Sequence, residues 1–330
     1  MVSDNYEVRL YSPELSGDWK KVLHGATNAT LMHDRDFLAY HPSAKFQDFS
    51  VILYKNSLPK AVFAAHKEGS VVYSHKGLSY GGLIHIPCSI NQKLEQFKVL
   101  LKFYDSLGIE SLEIKETPSI YELIKEESTA YIMHLAQAKI IQMELSLAIN
   151  LPLRVTHKGR KANIKQAEFV GLQIIESSEP DLFWEELLLP NLANRYNKKP
   201  THTKEEMGYL MKCFPHNIRQ FNVYKDKNII AGATVYLTSN CLHTQYLASN
   251  QQGRKLHALD FLIKYLSENF SDQRKLLDFG HSNENNGLSI NKSLFRWKES
   301  FGAKPYVHKH FLVPTNAWHA LDTVYTKPSN

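Results

Sequence analysis

Three cysteines in 330 residues, Cys88, Cys213 and Cys241, are odd in number and far apart. That spacing excludes both a disulfide framework and a thiolate zinc cluster. The 16 histidines contain no His-x-x-x-His or His–Cys ligand spacing, so no metal is expected. Long apolar runs are also missing. The longest, residues 229–237, contains a glycine and falls well short of the ~18 residues of a membrane helix. No basic stretch followed by an apolar one opens the chain, so the expectation is a cytoplasmic protein without a transmembrane segment. With 43% hydrophobic and 22% charged residues, 15 Gly and 13 Pro, the composition excludes collagenous, coiled-coil and wholly disordered chains. The length allows one large domain or two of about 150 residues.

Charge is unevenly spread. Residues 1–145 hold 15 basic and 17 acidic side chains, whereas residues 146–330 hold 24 and 16. Part of the excess lies in Arg154, His157, Lys158, Arg160, Lys161 and Lys165, with no carboxylate before Glu168. Such a cluster suits an anionic partner, such as a phosphate, a nucleotide or RNA, or it is a solvated helix face.

Self-comparison reveals a weak repeat. Residues 49–54, 60–66 and 70–74 read as strands, as do 221–224, 229–238 and 241–248. Tyr54-Lys55-Asn56 and Tyr224-Lys225-Asp226 lie 170 positions apart. Each trio is followed by an amphipathic helix (91–107 and 253–270), a short strand (111–114 and 275–279) and a second helix. Helical segments also precede each trio, at 13–23 and 34–40 and again at 181–194 and 203–213. A meander followed by a strand–helix–strand crossover implies an α/β architecture with a mixed sheet and helices on its faces. The expected division is an N-terminal domain over residues 1–150 and a C-terminal domain over 151–330.

That order of elements matches the GNAT acyltransferase fold, and two copies suggest two tandem GNAT-like domains. The second half carries Lys158-Gly159-Arg160-Lys161-Ala162-Asn163, Asn194-Arg195-Tyr196, Ile229-Ile230-Ala231-Gly232 and Tyr246-Leu247-Ala248-Ser249 in order. Leu277-Asp278-Phe279-Gly280, Phe295-Arg296-Trp297-Lys298 and Phe301-Gly302-Ala303 follow, with Tyr80-Gly81-Gly82-Leu83 as a counterpart in the first half. In these motifs the chain resembles the FemAB and CelD group of tandem-GNAT proteins. The resemblance implies an enzyme that moves an acyl or aminoacyl group onto an amine without a metal. In such a family the donor is acyl-CoA or, among peptidoglycan bridge-forming members, aminoacyl-tRNA. The acceptor would be a small molecule or nucleotide-linked sugar of a cell-envelope or polysaccharide pathway, with no role for DNA. One departure bears on the donor. Asn250-Gln251-Gln252-Gly253-Arg254-Lys255 has one glycine where acetyl-CoA-binding relatives carry a second small residue for the pyrophosphate.

Acyl transfer to an amine needs a base, a donor for the tetrahedral oxyanion and positioning of both substrates. The resemblance places a functional lysine at Lys298. Asp278, at a strand end, is the candidate base, or it caps the following turn. His281 and Asn283 lie in the polar loop after it. Arg160 and Lys161 would face an anionic acceptor, and Arg254 and Lys255 the donor phosphates. Trp297 would stack on a base or an acyl chain, or pack in the core. Tyr80 and Gly81 would allow close backbone approach to a ligand, or form a tight turn. Tyr246 and Ser249 end a strand near the expected donor cleft, whereas Tyr236 and His243 read as packing residues. The expected function is N-acyl transfer from acyl-CoA. The alternatives are an aminoacyl-tRNA-dependent bridge ligase and a degenerate nucleotide- or glycan-binding module.

Overall fold

The computed structural model of the chain describes residues 6–42, 45–196 and 199–324. It divides into two compact units, residues 1–143 with 308–330, and residues 144–307. The division therefore differs from a single boundary after residue 150. The strand Lys139–Asn150 runs up to that boundary, and its last residues complete the second unit. The closing strand of the second half, Lys304–Pro314, pairs through His310–Pro314 with Ser111–Lys115 of the first unit. Alternating apolar positions reveal that a strand exists, but they do not say which sheet edge receives it.

The second unit is built on the sheet order Gln173–Ser177, Ile218–Lys225, Asn228–Leu237, Cys241–Ser249, Leu276–His281 and the end of Lys139–Asn150. All neighbours are antiparallel except Cys241–Ser249 with Leu276–His281. Asp226, at φ 56, turns the chain between the second and third strands. Phe221, Val223, Ala233, Val235 and Leu277 pack in one core with Leu262, Ile263 and Leu266 of the helix Ala258–Phe270. Burial of each such large side chain contributes about 1.5–3 kcal/mol. The same sheet carries a buried polar row in which Thr234 donates to Gln220 Oε1 at 2.6 Å and Gln220 donates to Asn222 Oδ1 at 2.8 Å.

Two expected helices are interrupted. The one at 253–270 breaks into Gln251–Lys255 and Ala258–Phe270 because His257 adopts φ 55, a left-handed conformation that ends the first segment. The one at 181–194 continues to Tyr196 but widens to π-type turns at Trp184–Leu188 and Leu192–Tyr196, on either side of Pro190. Proline has no N–H for the regular ladder and its ring crowds the preceding turn, so the register must open.

In the first unit the strand expected at 60–66 is two strands, Leu58–Phe63 and His66–Glu68, which belong to different sheets. One sheet comprises Tyr6–Leu10, Val51–Lys55, Leu58–Phe63 and Leu83–His85. The other includes the parallel pair Val71–Tyr73 and Ser111–Lys115. The helix Ile90–Ser106 starts at a reciprocal cap between Ser89 and Gln92, and buries Leu94, Phe97, Leu100, Leu101 and Tyr104. Among the described residues no helix is long and apolar enough to cross a membrane.

Candidate functional site

In the second unit the parallel strands Cys241–Ser249 and Leu276–His281 pair only from Cys241 to His243 and from Leu276 to Asp278. Beyond that point they part, and the cause is local. The carboxylate Oδ1 of Asp278 accepts the N–H of Gly280 at 2.9 Å, and Gly280 takes φ 71, so the strand bends away. The register against the neighbouring strand also slips between Asp278 and His281. Between the parted strands opens a pocket of about 760 Å³. Thr244, Gln245 and Leu247 to Ser249 supply one wall, and Phe279 and His281 to Glu284 with Trp297 and Lys298 supply another.

Asp278 does not line this pocket, contrary to its expected role as a base facing substrate. It is fully buried, and its carboxylate accepts from Ser146 Oγ, from Gly280 N and from His243 Nδ1 at 2.7 Å. A carboxylate with that many donors is an anchor beneath the site. His243, read from sequence as a packing residue, is its ring partner, and the sequence offered no signal for the pair beyond two polar residues at matching strand positions.

Lys298 lines the pocket with only 2% of its surface exposed. Its helix, Lys292–Glu299, is capped by Asn291, whose Oδ1 accepts from Leu294 N at 3.1 Å. From Nζ it donates to Gly280 O at 2.8 Å and to His281 O at 2.9 Å. Burial lowers the ammonium pKa to about 8, opposed by the nearby Asp278 charge. An ammonium has three donors, so one remains for a bound carbonyl. Trp297 lines the pocket and also packs edge-on against Phe279 and Phe301, at centroid distances of 5.6 Å and 5.0 Å.

Arg160 reaches the pocket but is not a free anion receptor. It pairs with the buried Asp260, donates to Ser300 Oγ at 2.6 Å and lies 4.4 Å from the Phe301 ring centroid. Asn163 joins it by donating to Asp260 Oδ2 at 3.1 Å. Lys161 is exposed and outside the pocket lining, since successive helix residues point about 100° apart. On the opposite rim, Arg254 lines the pocket while donating to Ser249 O at 2.7 Å. Lys255 is exposed and does not line it. Ser249 does, but Tyr246 does not; the Tyr246 hydroxyl meets His202 Nδ1 at 2.7 Å and its ring packs edge-on to Trp184. His281 and Asn283 both line the pocket, with Asn283 Oδ1 accepting from Leu145 N at 2.7 Å. His257, Asn191 and Asp260 are lining residues that sequence reasoning missed.

The degenerate turn has a definite geometry. Asn250 Oδ1 accepts the N–H of Gly253 at 2.9 Å and Asn250 O accepts that of Arg254 at 3.1 Å. Two backbone donors that an incoming phosphate would use are thus already engaged. Gly253 is required for packing, because a Cβ there would stand 2.1 Å from Ile230 O.

Tyr80 and Gly81 belong to the first unit and are not brought to the pocket. Tyr80 is buried and stacks on Tyr121 at 4.7 Å. Gly81 N donates to Lys115 O at 2.8 Å, Gly81 bridges to Glu116, and a Cβ there would meet Ser74 O at 2.6 Å. This segment pairs directly beyond the parallel strands Val71–Tyr73 and Ser111–Lys115, in the place where the second unit opens. The cavity there holds only about 20 Å³.

No protein-family model matches the chain, and no curated protein matches its sequence. Solved structures are similar over nearly its whole length. The crystal structure of FemX superposes with a TM-score of 0.69 at 10% identity, covering 96% of this chain and 99% of that one. L-PGS from Bacillus licheniformis gives 0.59 at 14%, covering 94% of each chain. A tandem GNAT protein from the clavulanic acid biosynthesis pathway gives 0.52 at 9%, covering 99% of this chain and 100% of that one. The chain has the mixed-sheet, tandem GNAT-like fold of these proteins.

Proposed function

We propose that the second unit transfers an acyl group from an activated carrier to an amine of a cell-envelope or polysaccharide precursor. The observation that carries this reading is the opened strand pair, with Lys298 on its wall and its third donor unspent. An acyl carbonyl lying between the strands would receive that N–H. The acceptor nitrogen attacks the carbonyl carbon and forms the C–N bond, while the developing oxyanion is held by the Lys298 ammonium. His281, exposed on the pocket wall, takes the proton from the attacking nitrogen. The C–S or C–O bond to the carrier then breaks, and the carrier leaves with a proton. Asp278 and His243 fix the bend that presents the Gly280 and His281 carbonyls to Lys298.

The first candidate for the carrier is acyl-CoA, with Arg254 near its phosphates. The second is aminoacyl-tRNA, and the engaged N–H groups of Gly253 and Arg254 favour it, since they leave less of a pyrophosphate cradle. All of the net positive charge lies in the second unit, with 22 basic against 16 acidic residues in 144–307 and 17 against 17 elsewhere, as a polyanionic donor would require. The test is mass-spectrometric detection of an acylated amino sugar or aminoacyl-muropeptide after incubation with each donor. Product from wild type and none from Lys298→Ala is the expected result; equal product from both, with the variant folded, overturns the assignment.

A further inference from the structure

Apolar side chains share the pocket wall with Lys298. Phe279, the residue before the glycine whose carbonyl Lys298 holds, lines the pocket with its ring edge-on to Trp297 at 5.6 Å. Leu294 stands four positions before Lys298 and so on the same side of their helix. On the parted strand opposite, Gln245 is an extra residue, since Val235 pairs with Thr244 but Thr234 with Tyr246. A bulge of one residue shifts the alternation, so Leu247 returns to the face of Leu242, and both pack in the core that holds Phe279. Leu259, from the helix Ala258–Phe270, packs against that core as well and lines the pocket. Of these five side chains only Phe279 is buried; Leu247, Leu259 and Trp297 are half-buried and Leu294 is 37% exposed. Apolar groups that converge on a concave wall and stay part-exposed there gain their full burial only when an apolar ligand covers them.

The charges on the wall fit the same occupant. Its arginines and lysine are Arg160, Arg254 and Lys298, and its acids are Asp260 and Glu284. Asp260 is buried and already held by Arg160 and by Asn163 at 3.1 Å. Glu284 is exposed, and its Oε1 accepts from Asn291 Nδ2 at 3.4 Å. A cationic side group extending along this wall would meet Arg160 and Lys298 with no buried acid left to pair it. An anionic one would be buried among leucine and aromatic side chains.

We propose that this pocket selects an acyl group with an apolar body, branched or of medium length, seated on Leu247, Leu259, Phe279, Leu294 and Trp297. Acetyl and glycyl groups leave that surface bare, and charged side groups are turned away from it. The inference rests on the transfer reading above for the place of the carbonyl at Lys298, and it names the group transferred, whichever carrier brings it.

Acyl thioesters of N-acetylcysteamine test it, because they present the acyl group without either carrier. Acetyl, hexanoyl, leucyl and lysyl thioesters are titrated calorimetrically into the full chain. Hexanoyl, leucyl or both are expected to bind more than about tenfold tighter than acetyl, each buried methylene being worth about fourfold, and lysyl no tighter than acetyl. A hexanoyl preference assigns a simple acyl chain, and a leucyl preference an aminoacyl group with an apolar side chain. Leu294→Asn, at a part-exposed position, should weaken the preferred thioester about fivefold and acetyl less. Circular dichroism confirms that the variant folds. Equal affinity for all four, tightest binding of acetyl or lysyl, or no binding by any of them overturns the proposal. So does a preference left unchanged in Leu294→Asn. Transfer from the same thioesters to a soluble amine is read separately by mass spectrometry. Selective binding without product keeps the pocket's preference and removes the transfer reading, so the two fail in different ways.

Discussion

Asp278 Oδ2 holds His243 Nδ1 at 2.7 Å across the last paired rung of the two parallel strands, and beyond that rung the sheet opens. The same carboxylate bends the chain at Gly280, which turns two carbonyls toward Lys298. A buried anion thus shapes the pocket without touching its contents. Asp278→Asn is expected to destabilise the protein by about 2–4 kcal/mol, since it leaves the donors around it facing an amide. It should also impair transfer, while added conservative change at the exposed Lys255 does neither. Urea denaturation and initial rates read the two effects.

The buried Lys298 makes stability depend on pH in a defined direction. Its folded pKa of about 8 lies below the unfolded value near 10.5, so between these pH values the unfolded chain binds more protons. Stability contributed by this residue therefore rises as pH rises through that window and is lower at pH 7. Relative to Lys298→Met, wild type should gain roughly 2–3 kcal/mol between pH 7.5 and 10. A pH-independent difference in urea midpoints between the two proteins would contradict the buried ammonium.

Arg160→Ala should act first on stability. The pair with Asp260 is nearly enclosed, with side-chain exposures of 10% and 5%, and its loss leaves an uncompensated buried carboxylate. A cost of about 3–5 kcal/mol is expected. Lys161→Ala, one residue along on the exposed face, should change the melting temperature little. Thermal denaturation of both variants separates a packing role from the anion-binding role that the sequence suggested.

In the first unit, burial pushes the Glu122 carboxyl up to about 7, against the pull of the Lys93 charge. The folded state then holds a proton that the unfolded state releases between about pH 4.5 and 7, so this contribution to stability falls as pH rises through that interval. Because the group is partly exposed, Glu122→Gln should recover only about 1–2 kcal/mol at pH 8, and nothing at pH 4. Equal urea midpoints for both proteins at pH 8 would refute the raised pKa.

The repeated order of helices and strands was legible because periodicity reports local structure, and both units carry it. The partition of the closing strands was not, since residues 146–150 and 310–314 pair with elements far from them in sequence. Lys298 and the polar loop after Asp278 were legible through ordered motifs. The Asp278–His243 and Arg160–Asp260 pairs were not, because each joins residues 35 to 100 positions apart by side-chain geometry alone. Tyr80-Gly81 looked like a ligand turn because a glycine needed for close strand approach and one needed for a ligand leave the same trace.

The proposed transfer requires an acyl donor to bind between the parted strands of the second unit. Isothermal titration of acyl-CoA species and aminoacyl-tRNA against wild type and Leu247→Trp tests it most directly, because Leu247 lines that pocket and is only partly buried. One donor class should bind wild type and lose more than about tenfold in affinity when the indole fills the space. Binding that is unchanged in a folded Leu247→Trp protein, or no binding by either class, would contradict the account.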